Sequence, residues 1–362
     1  MKFIDEYRDR TLIEHYLRAI SRRASGTWTI MEVCGGQTHA ILKHGIDRRL
    51  PHTIRLIHGP GCPVCVTPNE TIDQAIEIAL RPEVVFCTFG DMLRVPGGLT
   101  DLMTARARGA DIRMVYSPLE AVSLARANPG RQVVFFAIGF ETTVPVVATA
   151  VMQAAAEQRR NFTILAAQVR IPAAMTVILG TQPRTVDAFL APGHVCTVTG
   201  AGEYADIVGK YRVPIVITGF EPVDLLQGIY MAVKQLEHGK AELQNQYARA
   251  VRADGNRLAK QRMERAFQPT DRQWRGLGLI PASGLALREE YADFDAVRRF
   301  APATRASNTN DTCCGQVLSG AMKPPACPDF GSRCSPDTPI GPCMVSSEGA
   351  CAAYYRYREC QV

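Results

Sequence analysis

No run of apolar residues in this chain is long enough to cross a bilayer as a helix. The most hydrophobic stretch, VVFFAIGF at 133–140, runs into Glu141 and then Pro145, far short of the roughly 20 consecutive apolar residues a span requires. The opening segment, MKFIDEYRDRTLIEHYLRAISRR, mixes acids with bases and has no apolar stretch leading to a small-residue cleavage site, so no export signal is expected. Ile13, Tyr16, Leu17 and Ile20 instead mark one face of an amphipathic helix. A strong charge of one sign is missing too. The formal net charge is +6 and the Lys and Arg residues are dispersed, with only short groupings such as RMER at 262–265, so a nucleic-acid surface is not indicated.

Familiar catalytic signatures are also absent. There is no GxxxxGK[ST] phosphate loop, and GAGEYA at 200–205 lacks the final glycine of a dinucleotide fingerprint, so a nucleotide site is unsupported. HExxH is missing, as is the CxxxCxxC triplet with which radical enzymes hold a cluster that has an open iron.

What the chain does have is cysteine. Twelve cysteines without an export signal point to a reducing compartment, the cytoplasm, where thiols serve metals or redox chemistry. Cys327, Cys334, Cys343 and Cys351 lie in MKPPACPDFGSRCSPDTPIGPCMVSSEGACAAYYRY, too rich in Pro and Gly to be one helix or one central strand. Loops that curl around a common centre can bring four thiolates to an iron–sulfur cube. Zinc competes, although structural zinc sites usually bring ligands in close pairs, whereas here six, eight and seven residues intervene. Disulfides or unlinked thiols are the remaining alternative.

At 46% hydrophobic and 21% charged, the 362 residues can build two or three ordinary cores. Short apolar runs at 27–33, 54–59, 83–90 and 112–117, and again at 132–140, 162–169, 195–200 and 213–220, alternate with helix-compatible segments. That is the pattern of α/β lobes built on parallel sheets. EVVFCTFGDMLRVP (83–96) resembles QVVFFAIGFETTVP (132–145), and ITGFEPVD (217–224) shares the glycine-acid turn. The expectation is two similar lobes, 26–128 and 129–235, flanking a cleft, with 1–25 and 236–362 as a third, mostly helical and loop domain carrying the cysteine loops. The basic residues around 262–265 are expected on the solvated face of a long helix from about 225 to 267, interrupted or bent at Gly239 and Gly255.

In open parallel sheets ligands gather beyond the carboxyl ends of the strands, where the unusual residues of this chain are concentrated. In CGGQTHAI, Cys34 follows a strand and two glycines turn the backbone into a helix carrying His39, so the positive helix end is expected to favour a thiolate. A buried small hydrophobe is the plain alternative for the thiol, and a locally satisfied histidine for His39. In GPGCPVCVTPNE, Cys62 and Cys65 form a CxxC pair before a helix start that resembles a capping box. Such a pair suits reversible disulfide chemistry or half of a metal site. Asp91, Glu141 and Glu221 stand on acid-bearing turns, each able to cap a helix, and their recurrence suggests a shared cleft.

Taken in order, CGGQTHAI, GPGCPVCVTP, FGDMLRVPG, GFETTVP, ITGFEP and FGSRCSPDTPIGPCMVSSEGACAAYYRY resemble the HypD family of [NiFe]-hydrogenase maturation factors, from near residue 30 to residue 357. The resemblance implies a [4Fe-4S] cluster in the third domain and a scaffold role in assembling the Fe(CN)2CO half of the hydrogenase site. The implied partners are a HypC-type chaperone and a HypE/HypF system that delivers cyanide. Residue by residue, Cys34 matches the thiol that holds the iron together with a partner cysteine. Cys62 and Cys65 match the redox thiols, and Cys327, Cys334, Cys343 and Cys351 the cluster ligands. His39, Asp91 and Glu141 lie in family motifs as cleft residues, while Cys313 and Cys314 receive no role. Cys87, Cys196 and Cys360 read as packing or surface thiols. The competing function is an independent iron–sulfur thiol-disulfide oxidoreductase, which needs the cluster and the CxxC pair but not Cys34.

Overall fold

The computed structural model describes residues 2, 4–303 and 312–357, so Cys360 lies outside the described residues. Eleven strands are described: β1 Trp28–Glu32, β2 Ile54–His58, β3 Val84–Thr88, β4 Asp111–Met114, β5 Gln132–Gly139, β6 Phe162–Gln168, β7 Ala188–Pro192, β8 Ile215–Thr218, β9 Leu243–Asn245, β10 Phe267–Trp274 and β11 Gly278–Leu287. The first sheet runs β2-β1-β7-β8-β9 and the second β4-β3-β5-β6, and all pairs in both are parallel. The α/β class is therefore as expected. Strands covered on both faces must be apolar on both, and β3 and β7 are buried at every residue. Among the described residues no helix is long and apolar enough to cross a membrane.

Strand pairing departs from the contiguous lobes 26–128 and 129–235. The chain builds β1 and β2, crosses to complete the whole second sheet, and returns to add β7, β8 and β9 to the first. Apolar periodicity marks where strands are but not which strands pair, so the cut at 128/129 falls inside the second sheet. The similar segments 83–96 and 132–145 are neighbours there, with Val84 opposite Gln132 and Cys87 opposite Phe135. Their likeness is between adjacent strand–turn units of one sheet.

Three local readings also change. Residues 195–199 belong to a helix, Gly193–Thr199, because β7 ends at Pro192 just before it. The expected helix over 225–267 is two helices, Pro222–Glu237 and Arg257–Ala266, separated by β9. Gly239, with φ of +62°, takes the left-handed conformation just past the end of the first helix, and Gly255, with φ of +67°, turns the chain just before Asn256 caps the second. The amphipathic helix Arg10–Arg23 does form, but it packs Leu17 and Ile20 into the first-sheet core with Ile30, Leu225 and Ile229. The antiparallel pair β10–β11 lays Phe267, Leu285 and Leu287 on the second-sheet core. The outer segments are thus shared between the two cores, not pooled in a third.

One ion pair helps fasten the chain ends of the first sheet. The Arg249 guanidinium donates to both Asp224 oxygens at 2.7 and 2.6 Å and lies over Tyr7 and Tyr247, while the Asp224 side chain has no exposed surface. Removing one partner of such a pair leaves a buried charge uncompensated. Arg249→Ala should lower stability by about 3–5 kcal/mol, and Asp224→Asn in the same chain should recover part of it, both read from urea midpoints.

Candidate functional site

In the first sheet the chain leaves β1 toward β2 on one side, while β7 and its successors lie on the other. The crevice beyond the carboxyl ends of β1 and β7 is therefore a topological switch point. Cys34 follows β1 and is the N-cap of the helix Gly35–Lys43. His194, one residue into the helix after β7, places Nδ1 3.7 Å from the Cys34 sulfur, and its ring packs on Phe220 beyond β8. Burial pulls His194 down to about 4, so this imidazole is neutral near pH 7. Burial likewise pushes the Cys34 thiol up. The Gln37 amide opposes it, the Glu32 and Glu348 carboxylates add to it, and the Gly36 amide opposes it again. The thiolate expected from the helix end alone is outweighed by burial and two acids, so a soft metal binding here must displace the thiol proton.

The CxxC turn is pressed against Cys34. Gly35 N–H donates to the Gly61 carbonyl at 2.8 Å, and a Cβ on Gly61 would come within 2.2 Å of the Cys34 nitrogen. A Cβ on Gly35 would lie 2.3 Å from the Glu348 carbonyl oxygen, so these glycines serve close backbone approach. Cys62 caps the one-turn helix Pro63–Val66 and is joined to Cys65 by a disulfide, as a reversible CxxC pair allows. The three turns leave a cavity of only about 10 Å³ between them.

Behind the disulfide stand the C-terminal cysteines. Cys65 Sγ lies 3.8 Å from the Pro342 carbonyl, at the start of the turn Pro342–Val345 that carries Cys343. Cys343 is fully buried, close enough to Cys314 and Cys351 for both thiols to act on its proton. Cys334, half-buried, lies within electrostatic reach of Cys314 and Cys327 and accepts the Ile340 N–H at 3.4 Å. The set is not purely loop-borne, since Cys343 sits in the one-turn helix Pro342–Val345 and Cys351 in the helix Ala350–Tyr357. Among the described residues no group of three or more His, Cys, Asp or Glu side chains stands in metal-binding geometry. The donors that gather are nevertheless all sulfur, the chemistry an iron–sulfur cluster takes.

The remaining predicted residues separate. Asp91, at the β3 end of the second switch point, accepts Ser346 Oγ–H at 2.9 Å, and Ser346 Oγ in turn receives Glu348 N–H, so Asp91 is tied to the turn that touches Gly35. Glu141, beyond β5, goes elsewhere: it is buried, accepts Ile171 N–H at 3.0 Å, and lines a cavity of about 430 Å³ with Arg170, Glu203 and Lys260. Glu221 caps the helix Pro222–Glu237 and pairs with Arg8. The three acids therefore do not share one cleft: Glu221 follows β8 of the first sheet, and of the two that follow neighbouring strands of the second sheet, Asp91 is tied to Ser346 while Glu141 lines another cavity. His39 meets Tyr357, whose OH is 2.8 Å from Nε2, so it is engaged with the helix Ala350–Tyr357.

Residues 11–358 match the model of the HypD family, described as the hydrogenase formation hypA family. The chain belongs to the HypD family. It is 50% identical over 367 residues to the hydrogenase expression/formation protein HupD of Azotobacter chroococcum mcd 1, covering 99% of this chain and 97% of the relative. The hydrogenase maturation factor HypD of Azotobacter vinelandii matches at 50% with the same coverage, and that of Escherichia coli (strain K12) at 48%, covering 99% of each chain. The chain is accordingly a member of a family of hydrogenase maturation factors.

Sequence reasoning missed several residues that this HypD-family chain brings to the site, Glu32, His58, His194 and Glu348, and named Cys314 without a role. Glu32 and His58 close two apolar strands, and a charged residue inside such a run was the available signal. His194 was hidden by reading 195–200 as a strand, although Pro-Gly before it marked a turn.

Glu141 yields a stability prediction. Burial raises its carboxyl to about 7, its own amide opposes, Glu203 adds, and the Ile171 amide and Arg170 oppose. The folded chain therefore holds this proton more tightly than the unfolded one. Its favourable contribution is complete below the ordinary carboxylate range and is lost as pH rises through 7, a decline of about 3 kcal/mol. Glu141→Gln keeps an acceptor for Ile171, so it should flatten the fall in urea midpoint between pH 5 and pH 8; an unaltered slope would exclude Glu141 as its source.

Proposed function

We propose that this chain is the scaffold on which the Fe(CN)2CO unit of [NiFe] hydrogenase is assembled. Cys34 would anchor the iron together with a thiol of a HypC-type chaperone, and a HypE/HypF-type system would deliver the cyanide. The carrying observation is the contact of three turns: the Cys34 turn is bonded to the CxxC turn through Gly35 and Gly61, and the CxxC turn abuts the Cys343 turn at Pro342. Iron bearing cyanide and carbon monoxide is soft and electron-rich, so a thiolate is a fitting anchor. The His194 imidazole can accept the Cys34 S–H and hold the sulfur toward the crevice. A single protein thiolate shared with a partner also lets the cargo leave.

Release of cyanide from a thiocyanate carrier is a two-electron reduction. The reduced Cys62–Cys65 pair would form its disulfide, giving up two electrons and two protons, while the carrier S–CN bond breaks to a thiol and hydrogen cyanide. Cys327, Cys334, Cys343 and Cys351 would hold a [4Fe-4S] cluster, which when bound supplies single electrons to regenerate that dithiol. Such chemistry requires a reducing compartment, and the cytoplasm meets that need.

Infrared spectroscopy of the anaerobically purified chain with its HypC-, HypE- and HypF-type partners tests the reading. Cyanide and carbonyl stretches should accompany iron in the complex. An iron-loaded complex without either stretch would overturn the scaffold role.

A further inference from the structure

The nearest polar support of Cys34 is a buried carboxylate. Glu32, the last residue of β1, has no exposed surface, and its Oε2 accepts the Cys34 backbone N–H at 2.8 Å. Its Oε1 accepts Thr38 Oγ1–H and faces His58 Nδ1 at 2.6 Å. The other imidazole nitrogen, Nε2, is 3.1 Å from the hydroxyl of Tyr354, whose ring meets the imidazole edge-on at a centroid distance of 5.4 Å. All of these side chains are buried.

The hydrogens on this line run one way. With His58 Nδ1–H donating to the Glu32 carboxylate, Nε2 accepts and the Tyr354 hydroxyl donates to it, so each contact has one donor and one acceptor. Tyr354 lies one helical turn after Cys351 on the helix Ala350–Tyr357. A continuous chain of hydrogen bonds thus joins the helix bearing the last of the four cysteines to the amide of Cys34 through neither Cys62 nor Cys65.

We propose that Tyr354, His58 and Glu32 are positioning residues for Cys34: they fix its backbone amide, and with it the direction of its sulfur, according to how the Cys351 helix is seated. The carboxylate needs all its donors. A burial this complete stays favourable only while they are aimed at it, so withdrawing Tyr354 frees the His58 ring and loosens the hold of Glu32 on the amide. Tyr357, on the same helix, makes a similar bond to His39, with Oη 2.8 Å from Nε2 and the rings at 5.1 Å, so a general effect of losing a tyrosine hydroxyl from this helix would show at both positions. His39 has no bond to Glu32, which makes Tyr357 an internal control.

The connection of this line to iron rests on the proposed role of Cys34, but the line can be tested without iron. Alkylation of Cys34 by iodoacetamide in the anaerobically purified full chain, followed on its peptide by mass spectrometry, reads the exposure of the thiol. Tyr354→Phe should speed it on the order of fivefold, the effect of losing one neutral hydrogen bond, and His58→Phe should speed it further. Tyr357→Phe should match the unaltered chain. Equal rates for Tyr354→Phe and the unaltered chain, or equal acceleration by Tyr357→Phe, would overturn the proposal. In the iron-loaded complex Tyr354→Phe should also shift or broaden the cyanide stretch, whereas Tyr357→Phe should not. If the unaltered complex holds iron without such a stretch while the alkylation contrast holds, the scaffold reading fails and the line stands.

Discussion

Cys34→Ala should abolish the cyanide and carbonyl stretches of the assembled complex while leaving the visible spectrum of the C-terminal cysteine region and the redox titration of Cys62 and Cys65 intact. The separation is expected because Cys34 is held by β1, Glu32 and the helix start, whereas the other thiols stand on their own turns. Alanine at the N-cap removes a sulfur that makes no side-chain cap bond, so the helix Gly35–Lys43 should persist. Cys62→Ser or Cys65→Ser should also remove the stretches, for lack of electrons rather than of a ligand. Supplying preformed iron complex tells the two apart: the CxxC variants should bind it and the Cys34 variant should not. Retention by Cys34→Ala would exclude the anchor and favour an independent thiol-disulfide oxidoreductase, which has no use for a third thiol.

The same contacts predict how a partner reaches the site. If a HypC-type chaperone contributes the second thiolate, it must approach the crevice between the β1 and β7 ends, and adding it should slow alkylation of Cys34. The high proton affinity of that buried thiol makes the unpartnered rate low to begin with, so the comparison belongs at mildly alkaline pH.

Much of this was legible in the sequence because the turn chemistry is local. CGGQ after an apolar strand, and GPGCPVC after another, state their own backbone requirement, glycines where two turns approach within a Cβ's reach, whereas the one-turn helix Pro63–Val66 that starts inside the CxxC pair is not among the expectations. The parallel class followed from strands apolar on both faces. What the sequence did not convey is long-range. Nothing local in 54–58 tells that β2 pairs only with β1 while β3 opens a second sheet, and so the lobes were cut in the wrong place. Asp91 and Glu141 occupy corresponding turns on neighbouring strands. Only the packing of the C-terminal turn on one of them, through Ser346, sends Asp91 toward Cys34 and leaves Glu141 facing another cavity. Burial reversed one inference outright, since the helix end that should favour a Cys34 thiolate is overcome by desolvation and two carboxylates.

Cys343→Ala should have the largest effect on the C-terminal region. The unaltered chain, purified without oxygen, should carry about four cluster irons with an equal amount of labile sulfide, and the variant almost none. Of the four spaced cysteines Cys343 alone has no exposed surface, it lies close enough to the Cys314 and Cys351 thiols for both to act on its proton, and its carbonyl lies where a Cβ on Gly349 would collide at 2.2 Å. It cannot be replaced by a neighbouring sulfur without moving that turn, so loss of the ligand should be loss of the site. Zinc at one ion per chain without sulfide would refute the cluster. Cys314→Ala separates contact from ligation. Cys314 touches Cys343 but lies outside the spaced set of four, so its variant should keep iron and sulfide. A Cys314→Ala chain that loses both, beside a Cys327→Ala or Cys334→Ala chain that keeps them, would transfer the ligand role to Cys314.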